Sequence, residues 1–386
     1  MGDILSYVDE FGGFTFVEKP LCEADELILA HLSYYIYDGI VPGIEDNLPS
    51  VYLYDVSKNM NEKNFISVKW EFEKNKELFY KVANSRRYRS VRANYYVNEI
   101  NNEEDVQFSA VTFLLGNGDI FISFRGTDDE LIGWKEDFYM AYRTPVGSQI
   151  RSEKYVNRVY QLFAKKRKAQ YYFGGHSKGG NLSVYAAMQC KERLRRKILK
   201  IYNFDGPGFI PEFMEKLDYE NIKDRVVKFI PHESFVGMLM ERRDDYILIQ
   251  STKIGMAQHI ALTWFVEGDR FLRSEEKVHK RKSLYDKVNN WILAMDKETL
   301  IGFLDNLFRM VEITEARTLT DLREGIPDFT KKANLIKNTY KKMDEDTKQK
   351  FWDIGIFMIE VMAADQQERM RQWKVINNLR ERILKE

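Results

Sequence analysis

Cysteine is almost missing from this chain. Its 386 residues hold two, Cys22 and Cys190, with neither a CxxC pair nor metal-ligand spacing. A disulfide framework and a cysteine-built metal centre are therefore not expected, and both thiols read as reduced and ordinary. A surplus of one charge is missing too: Lys+Arg and Asp+Glu number 59 each. A general nucleic-acid binder would be basic, so nucleic acid is not an expected partner. No apolar run reaches the length of a membrane span. The nearest, residues 354–364, is short and broken by Glu360, and a buried helix explains it better. Residues 1–20 lack an apolar core flanked by basic residues. The expectation is no signal peptide, no transmembrane segment and a cytoplasmic location.

What is present is enough chain to bury a large core, with one large domain plus an appendage as the natural division. Aromatics make up 14% of it, and core packing is their commonest use. Residues 24–37 place Ile28, Leu29, Leu32, Tyr35 and Ile36 on one helical face. The charged stretch 62–75 gives no clear signal. Segments 91–97, 106–115 and 119–124 read as a strand meander, with Asn117-Gly118 as a hairpin turn. A helix at 155–164, a strand at 169–174 and a helix at 178–191 follow. Further strands are expected at 200–204, 225–230 and 246–250. Such alternation specifies an α/β fold, a mostly parallel sheet with helices on both faces. After about residue 270 the strand signals nearly vanish. The expected division is an α/β unit over 1–270 and a helical region over 271–386. In the latter, Val288, Trp291, Ile292 and Met295 share one face, and Leu300, Phe303, Leu304, Leu307 and Phe308 another. Phe351, Trp352, Ile354, Ile356, Phe357, Ile359 and Val361 are too apolar to leave in water.

The chemistry concentrates at Gly175-His176-Ser177-Lys178-Gly179. A strand enters this G-x-S-x-G and a helix leaves it, the pattern of a nucleophile elbow. The serine needs a sharp turn so that its hydroxyl stands clear of the sheet. The flanking glycines are needed because strand and helix pass too closely for side chains. A serine hydroxyl is a poor nucleophile until a base takes its proton, and a carboxylate usually orients that base. His259 is the candidate base, in a loop beyond the last strand and ahead of an apolar run. His232 falls within the sheet region, and His279 lies in a basic, solvated stretch. His176 is expected to pack. Two acids compete. Asp205 ends a strand and opens the stiff turn Asp205-Gly206-Pro207-Gly208, while Glu233 follows the next strand. An oxyanion hole takes one N–H from the residue after the nucleophile, Lys178. Thr127, at the end of the strand closing in Phe124-Arg125-Gly126, is the candidate second donor.

The run Phe121-Ile122-Ser123-Phe124-Arg125-Gly126-Thr127, with Trp134 and Asp137, resembles the "FRGT…W…D" segment of class 3 (fungal-type) lipases. Gly175-His176-Ser177-Lys178-Gly179-Gly180-Asn181-Leu182 resembles their "GHSLGGAL". The chain is also similar to a group of uncharacterised bacterial lipase-like proteins. That similarity rests on 11–16, on Asp205-Gly206-Pro207-Gly208-Phe209, on Val236-Gly237-Met238-Leu239 and on Gln258-His259. The resemblance covers roughly 8–270. It implies an α/β-hydrolase fold, a Ser-Asp-His triad and an oxyanion donor at Thr127. One departure stands out: Ser234 falls where the lipases carry their catalytic aspartate, which turns attention to Asp205 one strand earlier. The expected activity is hydrolysis of carboxylic esters, lipid or acyl esters among them, by Ser177, His259 and Asp205, with no cofactor and no metal. The rival is a catalytically weak relative that binds an acyl ligand, or a protein partner through its helical C-terminal region.

Overall fold

The computed structural model describes residues 2–163, 168–214, 218–241, 243, 245–274, 297–318, 321, 338–343, 345 and 348–349. His279, the face at 288–295 and the apolar run at 351–361 lie outside the described residues.

A separate two-stranded ribbon pairs Val266–Glu267 with Arg270–Phe271, and the eight remaining strands follow one another across the main sheet in chain order. They are β1 (Val51–Tyr52), β2 (Arg92–Asn101), β3 (Val106–Leu114), β4 (Ile120–Phe124), β5 (Tyr171–His176), β6 (Ile198–Phe204), β7 (Val226–Pro231) and β8 (Ile247–Ile249). β1 to β4 pair antiparallel; β2 to β4 are joined by short turns, whereas the helices Leu53–Ser57 and Phe72–Asn84 lie between β1 and β2. β4 to β8 pair parallel, which requires crossovers, and helices supply most of them. The helices, in chain order, are α1 (Ile4–Phe11), α2 (Glu23–His31), α3 (Leu53–Ser57), α4 (Phe72–Asn84), α5 (Leu131–Tyr139), α6 (Gly147–Leu162), α7 (Lys178–Gln189), α8 (Glu192–Arg195), α9 (Pro211–Met214) and α10 (Lys297–Ile313). This is the α/β-hydrolase architecture, and the carboxyl ends of β4 to β8 gather at one edge, where parallel sheets build sites.

Two cores flank the sheet, and the alternation of strand side chains assigns them. On β4, Phe121 joins α1, α2 and α4, whereas Ile120, Ile122 and Phe124 join α6 and α7. Every residue of β3 is buried, so both faces are covered there. Leu300, Leu304 and Phe308 of α10 enter the second core at the spacing of one helical stripe. Phe308 meets Phe138 and Tyr139 of α5 edge-on at 5.9 and 6.4 Å between ring centres. The Leu131 N–H also donates to the Arg317 carbonyl at 2.9 Å.

Three local readings change. The helix expected over 24–37 ends at His31 and tightens into a single 3-10 turn, Leu32–Tyr34. The Ser33 hydroxyl donates back to the Ala30 carbonyl, competing with the helix ladder, and Tyr35 is extended. The stretch without a clear signal forms the 3-10 segment Glu62–Glu71 and then α4, which buries Leu78, Phe79 and Val82. α6 starts at Gly147 rather than 155. Its first turns bury polar Ser148, Gln149 and Ser152, so hydrophobic periodicity does not reveal them.

The first core also holds charge. Asp25 accepts from the Arg87 guanidinium, from the Tyr7 and Tyr88 hydroxyls and from the Cys22 N–H. Arg87 donates onward to the carbonyls of Phe14, Thr15, Lys19 and Pro20, tying down the N-terminal loop. Beside it, burial pushes the Glu26 carboxyl up to about 8, against the hydroxyl of Tyr202, which donates to it. Burial also lowers His31 to about 4, with Asn75 opposing.

These two groups predict a pH dependence of stability. From pH 4.5 to 8 the folded chain holds a proton at Glu26 that the unfolded chain has released, so stability falls as pH rises. His31 has the opposite sign, but only below its ordinary value of about 6.5. Between pH 6.5 and 8 the Glu26 slope is therefore unopposed, on the order of 1 kcal/mol per pH unit. Urea unfolding at several pH values should show this decline in the wild type and a flatter profile in Glu26→Gln.

Candidate active site

The turn between β5 and α7 is the strained point of the molecule. Ser177 has φ 58° and ψ −133°, a region that residues with side chains rarely occupy. Its N–H donates to the Phe204 carbonyl at 3.0 Å, and its carbonyl accepts from Gly180 at 2.9 Å. The neighbouring glycines are obligatory on space alone. A Cβ on Gly175 would lie 2.2 Å from the Gly179 carbonyl carbon, and one on Gly179 would lie 2.1 Å from the Phe124 oxygen. Ser177 therefore sits where β4, β5 and α7 touch, and it is 8% exposed.

Asp205 ends β6, fully buried, in the left-handed region at φ 54°. Its Oδ2 lies 2.6 Å from His259 Nδ1 and also accepts from the Ser234 hydroxyl. Its Oδ1 accepts the Gly237 N–H at 3.1 Å. A Cβ on Gly237 would fall 2.2 Å from that oxygen, so glycine is required for the approach. Ser234, at the position of the lipases' aspartate, thus touches the carboxylate that His259 uses. Glu233 bonds differently: its Oε2 accepts from the Gly255 N–H and from Gln258, shaping the loop before His259. Gln258 fastens the same loop. It accepts the Glu233 N–H, donates to the Lys253 carbonyl, and its own carbonyl accepts the Trp264 indole N–H. The structure therefore brings together Asp205 and His259, with Glu233 one layer further out.

On the other side of Ser177 lies the loop after β4. A Cβ on Gly126 would meet the Tyr34 hydroxyl at 2.2 Å and Ser177 Cβ at 2.9 Å. Thr127 follows, and its hydroxyl donates to Asp137 Oδ2 at 2.5 Å. Burial raises the Asp137 carboxyl to about 6, while the Lys178 charge and the Thr127 bond oppose it. Lys178 opens α7, so its main-chain N–H belongs to the free donors of a helix start. Its side chain is 1% exposed and runs back into the protein. The ammonium donates to Gln107 (carbonyl 3.0 Å, Oε1 3.3 Å) and to Glu136 Oε2 at 3.1 Å. Gln107 Nε2 continues to Asp128, the neighbour of Thr127. Asn181, one turn into α7, holds the Gly208 carbonyl and accepts from Gln149.

Sequence reasoning missed several of these groups. Gln107, Glu136 and Ser148 carry no motif, and the only hint is a lysine where the resembling lipases have leucine. His176 packs as expected, against Tyr34, His259 and Trp264, and is also hydrogen-bonded, through Nδ1 to Tyr34 and through Nε2 to the His259 carbonyl.

The sheet, the crossovers and the strained serine turn define an α/β-hydrolase-fold, lipase-like protein. Within that class the chain belongs to the Mbeg1-like family, whose profile matches residues 82–309. Among curated proteins no sequence matches. Among solved structures, a mutant MDLA from Penicillium cyclopium is 12% identical, with 70% of this chain and 87% of that one covered, at a TM-score of 0.38. A lipase from Yarrowia lipolytica is 10% identical, covering 66% and 84%, at 0.37. The Rhizomucor miehei lipase propeptide complex is 16% identical, covering 42% and 57%, at 0.33. Among the described residues no helix is long and apolar enough to cross a membrane.

The buried Lys178–Glu136 pair gives a testable asymmetry. Lys178→Met strands the Glu136 charge and should cost about 3–5 kcal/mol in urea unfolding. The double variant Lys178→Met with Glu136→Gln should recover most of that loss, because neither member then carries charge. A double variant as unstable as the single one would mean that the loss lies in packing.

Proposed function

We propose that the chain is a serine hydrolase of carboxylic esters. The observation that carries this reading is the 2.6 Å contact of His259 Nδ1 with buried Asp205, beside a serine on a strained strand-to-helix turn. A carboxylate on Nδ1 fixes the tautomer, leaving Nε2 to receive a proton. Ser177 attacks the ester carbonyl as His259 takes its proton. The main-chain N–H groups of Thr127 and Lys178 meet the developing oxyanion. The bond from the Thr127 hydroxyl to Asp137 supports that role by holding the loop. Collapse of the tetrahedral intermediate expels the alcohol, which His259 protonates. Water then repeats the sequence on the acyl-enzyme. No metal or organic cofactor enters this scheme.

The lipase-like segments 121–137 and 175–182 support lipid or acyl esters as the substrate class. The thiols are unpaired, Cys190 buried and Cys22 partly so, which accords with the cytoplasmic setting that we include in the proposal. We also take 1–270 as the hydrolase unit and 271–386 as its helical companion.

A fluorophosphonate probe reacts only with an activated serine. It should label the wild type at Ser177 and leave Ser177→Ala unlabelled but folded. Asp205→Asn should lower turnover of p-nitrophenyl esters by roughly 10⁴-fold, the scale of losing the group that selects the histidine tautomer. Glu233→Gln should lower it far less. Absence of wild-type labelling would favour the rival, a weakly catalytic acyl-binding protein. A larger effect at Glu233 at equal stability would move the acid there.

A further inference from the structure

A hydrogen-bonded pair behind the reacting groups joins the two sides of this site. His176 Nε2 lies 2.7 Å from the main-chain oxygen of His259. A carbonyl only accepts, so this nitrogen carries the ring proton. His176 Nδ1, 2.9 Å from the Tyr34 hydroxyl, is then the acceptor and the phenol the donor. The phenol also lies 3.4 Å from the His176 main-chain oxygen and directly against Gly126, where a Cβ would approach its oxygen to 2.2 Å. One continuous path therefore runs from the loop carrying the base, through His176 and Tyr34, to the loop carrying Thr127.

Charge and space both hold this path in one state. Burial, and then the neighbouring His259, push His176 well below its ordinary value, so the ring stays neutral. Burial pushes the Tyr34 phenol far above its ordinary value, so it stays a donor. The His176 and His259 rings lie 4.5 Å apart, and Trp264 closes on His176 at 5.9 Å. Gly126 leaves no room between the phenol and the serine turn, since a Cβ there would lie 2.5 Å from the His176 carbonyl oxygen. His176 is also covalently next to Ser177, so a displacement of either loop acts on the nucleophile's own turn.

We propose that Tyr34, acting through His176, is a positioning residue that sets the base loop at His259 and the oxyanion loop at Gly126–Thr127 in register about Ser177. The proposal rests on the ester-hydrolase reading above. It draws a residue of the N-terminal segment, outside the family-matched residues 82–309, into the function of the site. A misplacement on the order of 1 Å can cost about 100-fold in rate, so small losses of register are readable.

The test uses the full chain. Tyr34→Phe keeps the ring and removes the hydroxyl's bonds to His176. Tyr35→Phe is its control: Tyr35 is also buried, and its hydroxyl donates to the Asn75 carbonyl at 3.0 Å rather than to His176. With p-nitrophenyl butyrate, Tyr34→Phe should lose about 10–100-fold in kcat with KM within about twofold. Tyr35→Phe should lose comparable thermal stability and keep kcat. Unchanged kcat in Tyr34→Phe, or an equal fall in both variants, would overturn the proposal. Imidazole ¹⁵N spectra provide an arm that needs no turnover. Wild-type His176 should remain protonated on Nε2 alone at neutral pH, and its Nδ1 resonance should move in Tyr34→Phe. A wild-type His176 protonated on Nδ1, or an Nδ1 resonance indifferent to Tyr34→Phe, sinks the tether whatever the activity. A wild type that neither hydrolyses esters nor takes the fluorophosphonate sinks the ester-hydrolase reading instead, and the spectra still decide the tether.

Discussion

The carboxylate of Asp205 is the group on which the site's architecture turns. It is wholly buried, and an ionised carboxylate in such a place is costly unless its oxygens are satisfied. Its donors come from separate stretches of chain: His259 from the loop beyond β8, Ser234 from the exit of β7, and Gly237 from the 3-10 turn Val236–Met238. The need to satisfy one charge therefore brings the last two strand exits to the end of β6. The backbone conforms to the same demand. Asp205 takes φ 54°, its N–H is held by the Phe229 carbonyl, and Gly206 passes so close to the serine turn that a Cβ would lie 2.3 Å from the Ser177 oxygen.

The opposite side of the serine is held by different physics. There a lysine and a glutamate are both buried, and the desolvation of each is offset by the other together with Gln107 and the Ser148 N–H. The arrangement ties the start of α7 to β3 and α5. Behind α5 stands α10, with Phe308 against Phe138 and Tyr139 and a bridge between Glu130 and Thr318. α10 thus bears on the loop and helix that follow Thr127, while Phe271 and Leu272 meet Trp264 and Phe265 beyond His259. A change in how α10 docks would reach Thr127 and Asp137 first.

Much of this fold was legible in the chain. β2 to β8 are runs of aromatic and β-branched residues bounded by turn formers, and the spacing of Gly175, Ser177 and Gly179 announces a strand-to-helix turn. The stiff Asp205-Gly206-Pro207-Gly208 turn and Ser234 at the lipases' aspartate position favour Asp205 in the sequence, with Glu233 left as the alternative. Both follow strand exits, and what separates them in the structure is a left-handed turn at one and a loop-shaping role at the other. The start of α6 was hidden because its buried face is polar, built from Ser148, Gln149 and Ser152. The break after His31 was hidden because Ser33 bonds locally where the apolar periodicity still looks helical. The bond of Tyr34 to His176 spans 142 residues and has no local signature at all. Local pattern reports a residue's own element; it does not report which distant carbonyl or ring completes a buried polar group.

The same long reach bears on how much of the chain the site requires. The family match begins at residue 82, after α1, α2 and most of α4. Those helices form the greater part of the core on one face of the sheet, where Phe113, Phe121, Phe204 and Phe229 are buried against them. Removing them would open a contiguous apolar face and strand the Tyr202 hydroxyl that donates to Glu26, as well as Arg87, whose carboxylate is Asp25. It would also leave His176 Nδ1 without the Tyr34 phenol, whose oxygen packs against Gly126. The N-terminal segment is therefore not an addition to a self-sufficient hydrolase unit. It supplies half of the sheet's cover and the polar contact that reaches both sides of the serine, so the smallest unit able to hold this geometry includes it.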